Sequence, residues 1–411
     1  MTAIQTKQIF PVYHSADRSE FRLEDDVYLS SFRLANIQPK PSGPITYQSL
    51  VGIGALFQTI TLYSGDVEIE QARNVHEWLG FQQLRTPNPV ALDLQHQLNG
   101  TRWGGWKLGA RGATSGVETV NYGDNEPNVK PDVNAAITAG GTLNLSSVFG
   151  FLKQDDVLPP IPNLRIVVEW RTNEAANVFA GISGALTYTM QEPVMFVDSV
   201  KSPALLKKVA EKSSYSLPYF VNEFDVLRVS SGGAIAADAV APEESLTVNA
   251  FRGKSVRRLM MVNVPETVGN IAADVLKKDA SIAMRAEKIN LRINGRNYFA
   301  LNAIDSQSKK LSVLASAWGS MNVPAGCQFF ELDDFGNSYM EGSNIEHLRG
   351  KLSYFGCFLG QRISEMEVVY QRTGYGGTAD ILQRAPFNLH VWGEVAKSLR
   401  VSGGNVVVSY S

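Results

Sequence analysis

The chain has 411 residues, 44% hydrophobic and 19% charged, with a formal net charge of −2. That length exceeds one ordinary core and suits two domains of roughly 200 residues. The apolar content excludes a disordered chain, and the near-neutral balance argues against a nucleic-acid binder built around a basic face or arm.

In chain order, the opening residues MTAIQTKQIF contain no apolar run of signal-peptide length. No window reaches the roughly 18 consecutive apolar residues of a membrane span, so the protein is expected to be made in a cytosol and used or assembled there. Period-2 alternation then recurs: Phe21 and Leu23, Val27 and Leu29, Phe32 and Leu34 point to one side in successive runs. Phe57 to Glu70 reads as a hairpin, with Ile60 and Leu62 on one arm, Val67 and Ile69 on the other, and Ser64-Gly65-Asp66 as the turn. Arg73 to Leu84 has the pattern of a short amphipathic helix. Residues 100–141 are glycine-rich, carry Trp103 and Trp106 and show almost no alternation, which marks a projecting or functional loop.

At mid-chain, Ser202 to Ser214 has a Ser N-cap, Pro203 at the first helical position and an apolar stripe of Leu205, Leu206 and Val209. A connector helix packed between two domains fits it better than a membrane-surface helix, because the stripe is short. Further on, Gly269 to Lys288 also reads as a helix, and Asn294-Gly295 between the arms of Ile289 to Phe299 is a strong hairpin signal. There is a faint internal repeat. Ser147 to Leu152 resembles Ser353 to Leu359, and each precedes a β-rich run, from Leu164 and from Met366. Two domains of one architecture would produce it. The chain ends with strand-like FNLHVW, a short connection, KSLRV, a Gly403-Gly404 turn and NVVVSYS.

Chemistry-bearing patterns are sparse. The histidines His14, His76, His96, His347 and His390 form no metal-binding pair, and neither a GxSxG nor a phosphate-binding glycine loop is present. No cofactor and no catalytic residue is expected. His390, between Leu389 and Val391, reads as a surface or interface side chain rather than a ligand. Cys327 and Cys357 form no Cys-x-x-Cys and read as reduced core residues. The acidic stretch holding Glu331, Asp333, Asp334 and Glu341 is either a solvated turn or a carboxylate pair for glycoside chemistry. The basic cluster Arg252, Lys254, Arg257 and Arg258 is either a solvated strand entrance or a contact for an acidic neighbour or phosphate. Trp103 and Trp106 either anchor their own loop or stack on a sugar or a neighbouring subunit.

The terminal strands closed by Gly403-Gly404 resemble the C-terminus of double-jelly-roll major capsid proteins of double-stranded DNA viruses. So do Leu143 to Trp170, a passage from a polar loop into a late strand, and Phe251 to Glu266, an early strand of a second barrel. The likeness is strongest to virophage and polinton-like capsid proteins, with those of tailless phages and the adenovirus lineage behind them. It implies an all-β chain of two tandem eight-stranded jelly-roll barrels: residues 1–200, a linker helix over 201–215, and residues 216–411. It implies a homotrimer forming a pseudo-hexagonal capsomer in an icosahedral virion shell assembled in the host cell. Neighbouring capsomers and a separate penton or minor capsid protein would be partners, and an internal membrane stays open. The candidate assembly contacts are Trp103, Trp106, Arg252, Lys254, Arg257 and Arg258. Because the first ten residues hold a single lysine, Lys7, no direct sequence-specific nucleic-acid contact is expected. A tandem-jelly-roll enzyme acting on glycans and a carbohydrate-binding β-sandwich are the competing readings.

Overall fold

The computed structural model of the chain describes residues 3–41, 46–47, 52–85, 141–153, 157–174, 179–180, 187–211, 214–230, 240–265, 288–300, 303–319, 354–371 and 387–410. Within them run β1 (Ala3–Ile9), β2 (Arg18–Arg22), β3 (Arg33–Ile37), β4 (Phe57–Ser64), β5 (Val67–Arg73), α1 (Val75–Arg85), β6 (Gly141–Asn144), β7 (Leu164–Trp170) and β8 (Val194–Lys201). After α2 (Pro203–Ala210) come β9 (Ser214–Val229), β10 (Glu244–Thr247), β11 (Lys254–Pro265), β12 (Lys288–Ile293) and β13 (Arg296–Asn297). The chain continues through α3 (Gln307–Trp318), β14 (Tyr354–Ile363), β15 (Met366–Gln371), β16 (Phe387–Ser402) and β17 (Asn405–Tyr410).

The strands form two sets of sheets with the same wiring. In the first set one sheet runs β1–β8–β3–β6 and the facing sheet β2–β7–β4–β5, with shorter strands at the margins. In the second set the orders are β9–β16–β11–β14 and β10–β15–β12–β13. Adding eight to each label of the first set gives the second. All the pairings are antiparallel, and strands adjacent in the sheets are mostly distant in sequence, which is jelly-roll topology. No strand of the first set pairs with a strand of the second among the described residues.

Local sequence explains the elements. β7 reads LRIVVEW and buries Leu164, Ile166, Val168 and Trp170 on one side, the alternation of a half-buried strand. The β4–β5 hairpin forms as expected, with Ser64 opposite Val67 across Gly65-Asp66. Asn294 and Gly295 both take positive φ (52° and 76°) between β12 and β13, as a two-residue hairpin of primed type requires. Gly403 and Gly404 do the same between β16 and β17 (58° and 81°); two consecutive left-handed residues are tolerated there because neither carries a Cβ.

Several expectations change. FNLHVW and KSLRV are not two strands with a connection but the single strand β16, paired with β9 from Phe387↔Val229 to Ser402↔Ser214. Gly393 does not break it: the ring of Phe251 occupies the space its side chain would fill, within 2.6 Å of an added Cβ. The repeat holds only in its second half. β7 and β15 are equivalent strands in the two sets, whereas Leu145–Ser147 and Phe151–Lys153 are 3-10 turns and Tyr354–Ile363 is a strand. α3 is unanticipated; Ser306 caps it, its hydroxyl accepting from Lys309 N–H. The expected helix at 73–84 appears as α1, and α2 lies between β8 and β9. The side chains of Leu205, Leu206 and Val209, residues 269–287 of the helix expected at 269–288, Trp103, Trp106, Cys327 and the acidic stretch around Asp333 and Asp334 lie outside the described residues, and Lys288 begins β12. Cys357 is a free, fully buried thiol.

One hydrophobic cluster runs through both sets of sheets, from Phe21, Ile60 and Val168 to Leu259, Val368 and Val391. The two barrels therefore share a packed seam.

A buried polar seam between the two barrels

β9 and β16 are 16 residues each, about 50 Å long at the usual rise. β11 pairs with β16 from Phe387 to Val395, and β17 takes over from Lys397 to Ser402. The far end is thus a three-stranded ribbon of β9, β16 and β17, which reaches over β5 of the first barrel. Tyr219 of β9 donates its hydroxyl to the carbonyl of Ile69 (2.9 Å), and its ring meets Phe151 edge-on at 5.0 Å. The hydroxyl of Tyr215 donates to the Pro160 carbonyl.

Beside Tyr219 the fully buried Glu70 accepts from Gly150 N–H and Phe151 N–H, both at 2.9 Å. Burial pushes its carboxyl up to about 7; the two backbone donors and the charges of Lys153 and Lys397 pull the other way without cancelling it. Gly150 lies so close to β9 that an added Cβ would sit 1.6 Å from the Phe220 carbonyl oxygen. Only glycine permits that approach.

A second contact uses the outer face of the β9–β16–β11 sheet. His390 and Trp392 alternate with the core residues Leu389 and Val391, so they point outward. They are nevertheless buried. His390 Nδ1 donates to Glu77 of α1 at 2.8 Å, and its ring stands edge-on to Phe224. Burial alone would raise the Glu77 carboxyl; the charge and hydrogen bond of His390, with His76 behind them, instead hold it well below the usual range. Next to it Trp78 of α1 meets Trp318 of α3 at 5.6 Å between centroids. Each indole N–H is used: Trp78 donates to the Ser147 carbonyl and Trp318 to that of Leu259.

The basic cluster is largely engaged within the chain. Arg258 forms a two-pronged pair with Glu394 (2.7 and 3.0 Å), donates to the Ala317 carbonyl and lies 4.0 Å above the Trp318 ring. Arg257 approaches Glu394 at 3.7 Å and covers Phe220. Lys254 and Lys397 bracket Glu223 at 3.6 and 3.1 Å, and both ammonium groups lie over the ring of Tyr410, whose hydroxyl donates to Glu223. Burial would raise the Glu223 carboxyl, but Lys397 and Lys254 lower it; burial pulls Lys397 down in turn, and Glu223 and Tyr410 together outweigh it, so Lys397 is raised. Arg252 is exposed, as is Arg257, and alone of the four has no side-chain partner among the described residues. Of the seam residues, sequence reading identified His390 as a surface or interface side chain and passed over Glu70, Glu77, Tyr219 and Trp318. A glutamate between His76 and Trp78 at a helix start was the available signal. Among the described residues no group of three or more His, Cys, Asp or Glu side chains is placed to hold a metal ion.

No protein-family model matches this sequence, and no curated protein matches it. Solved structures do. The Sputnik virophage structure aligns over 99% of this chain and 88% of its own, with a TM-score of 0.61 at 9% identity. The PBCV-1 virus capsid aligns over 100% of this chain and 97% of its own, at a TM-score of 0.58 and 10% identity. The mavirus major capsid protein aligns over 98% and 90%, at 0.55 and 10%. With two barrels of identical wiring along its whole length, the chain has the double-jelly-roll fold of these viral capsid proteins.

Proposed function

We propose that this chain is the major capsid protein of an icosahedral double-stranded DNA virus, and that three copies close into a pseudo-hexagonal capsomer. The observation that carries the reading is the pair of identically wired barrels fixed as one body by a buried seam, in a chain that overlays capsid proteins from end to end. A coat subunit must hold two barrels at a fixed angle, because any play between them would spread through the shell. Packed tryptophans, the Glu77–His390 pair and the close approach at Gly150 supply that rigidity.

We take residues 1–200, 201–215 and 216–411 as first barrel, linker helix and second barrel. Neighbouring capsomers are the main partners, with a penton or minor protein at the vertices. Trp103 and Trp106 remain proposed loop contacts, and Arg252 is the member of the basic cluster best placed to reach a neighbour. Genome contact is indirect, because the cations at Lys254, Arg257 and Arg258 are matched by Glu223 and Glu394. Among the described residues no observation favours a glycan-acting enzyme or a carbohydrate-binding protein.

Light scattering and negative-stain imaging of the purified chain test the reading. A species near 3 × 45.0 = 135 kDa with a hexagonal outline supports it, and a stable 45.0 kDa monomer overturns it. Filter binding tests the genome statement: tight, salt-sensitive DNA binding by the purified trimer refutes it.

A further inference from the structure

The seam inside the chain suggests how copies meet. Each barrel ends its first sheet in a three-stranded ribbon. In the second barrel this is β9, the end of β16 and β17. In the first it is β1, the end of β8 and the short strand Tyr28–Leu29, which pairs with β8 at Ser199. The second ribbon is seated on β5 and on the turn at Gly150 and Phe151. Among the described residues the first ribbon has no such seat: Ile4 on β1 is 59% exposed.

The surface of the second barrel equivalent to β5 is β13. It too stands open, with Tyr298 directly after it and Phe358 of the edge strand β14 beside it, the Tyr298 hydroxyl donating to the Phe358 carbonyl. The exposed large apolar side chains among the described residues concentrate on these two surfaces. Ile4, Phe10, Val12 and Tyr13 lie along the first ribbon and the corner after it, and Tyr298 and Phe358 lie on the other, leaving only Val226, Val240, Val407 and Tyr410 elsewhere. Charge is complementary: Glu24 and Asp25 are exposed next to the first ribbon, although Glu24 keeps Lys7 at 2.7 Å, and Arg296 and Arg362 are exposed next to Tyr298 and Phe358.

We propose that the β1 ribbon and its corner (Ile4, Phe10, Val12, Tyr13) of one copy seat on the β13–β14 aromatic edge (Tyr298, Phe358) of the next, repeating between chains the seam that joins the barrels within one. The contact is head-to-tail, and rotation about a threefold closes it into a ring. This rests on the capsomer reading, whose partner surface it names.

The test is a chain carrying Ile4→Cys and Tyr298→Cys, treated with a flexible bis-maleimide, with the wild type and each single variant as blanks. Covalent bands up to the three-copy species and none beyond, absent from the blanks, are expected. A double variant that keeps a solution mass of 135 kDa (3 × 45.0) but gives no linked bands overturns this seam and leaves the capsomer reading standing. A 45.0 kDa wild type removes both. Independently, Phe358→Glu is expected to shift the mass from trimer to monomer with an unchanged circular dichroism spectrum; a trimer that persists counts against the seam.

Discussion

Replacing Glu70 by glutamine isolates the electrostatics of the seam. In the folded chain its carboxyl sits at about 7, against an ordinary value of 4.5. Between those values the folded chain keeps a proton that the unfolded chain has released. Stability must therefore fall as pH rises through this window: the contribution is fully present below 4.5 and gone above about 7. The difference, 7 − 4.5 = 2.5, amounts at about 1.4 kcal/mol per pH unit to between about 3 and 4 kcal/mol. Glutamine keeps one carbonyl acceptor for Gly150 or Phe151 and turns an amide N–H toward the other donor, a cost that does not vary with pH. Urea unfolding of both proteins at pH 5 and pH 8, followed by tryptophan fluorescence, gives a difference of differences in which every other titrating group cancels. Because part of the window lies below pH 5, the wild type should lose between about 2 and 3 kcal/mol relative to Glu70→Gln between the two conditions. Parallel behaviour, within about 0.5 kcal/mol, would refute the reasoning. It would mean that the two backbone donors outweigh burial and keep the carboxylate ionised throughout.

Three further outcomes follow from the same seam. His390→Ala strips the counter-charge from the buried Glu77 and should cost about 3–5 kcal/mol, much of it recovered by adding Glu77→Gln; an unchanged unfolding midpoint would show that the pair does not hold the barrels together. Gly150→Ala places a methyl 1.6 Å from the Phe220 carbonyl, so the barrels must part there, lowering the melting temperature and speeding proteolysis between them; wild-type values for both would count against the close approach. Trp318→Ala removes the contacts with Trp78 and Arg258 and the bond to Leu259 and should cost about 3–5 kcal/mol in denaturant unfolding, whereas Trp318→Phe should lose only about 1 kcal/mol with the N–H.

Alternation and turn chemistry are local, and the sequence by itself determined whatever rests on them. The β4–β5 and β12–β13 hairpins, the Gly403-Gly404 turn, α1 and the all-β class follow from neighbours two to four residues apart, where side-chain period and φ preference act directly. The pairing of Val406 and Val408 with Val401 and Leu399 follows from that turn. Tertiary structure decided what depends on distant partners. β16 runs unbroken through Gly393 because β9 holds it extended and Phe251 fills the gap, and neither is visible from residues 387–402. The phrase around Ser147 and the phrase around Ser353 look alike but fold as 3-10 turns and as a strand, because the second lies beside β11 and the first beneath β9. The cations at Lys254, Arg257 and Arg258 look free in sequence, since their carboxylates, Glu223 and Glu394, lie on other strands. Glu77 and His390 meet across 313 residues. Their pairing is set by how two barrels pack, and no periodicity within either one encodes it.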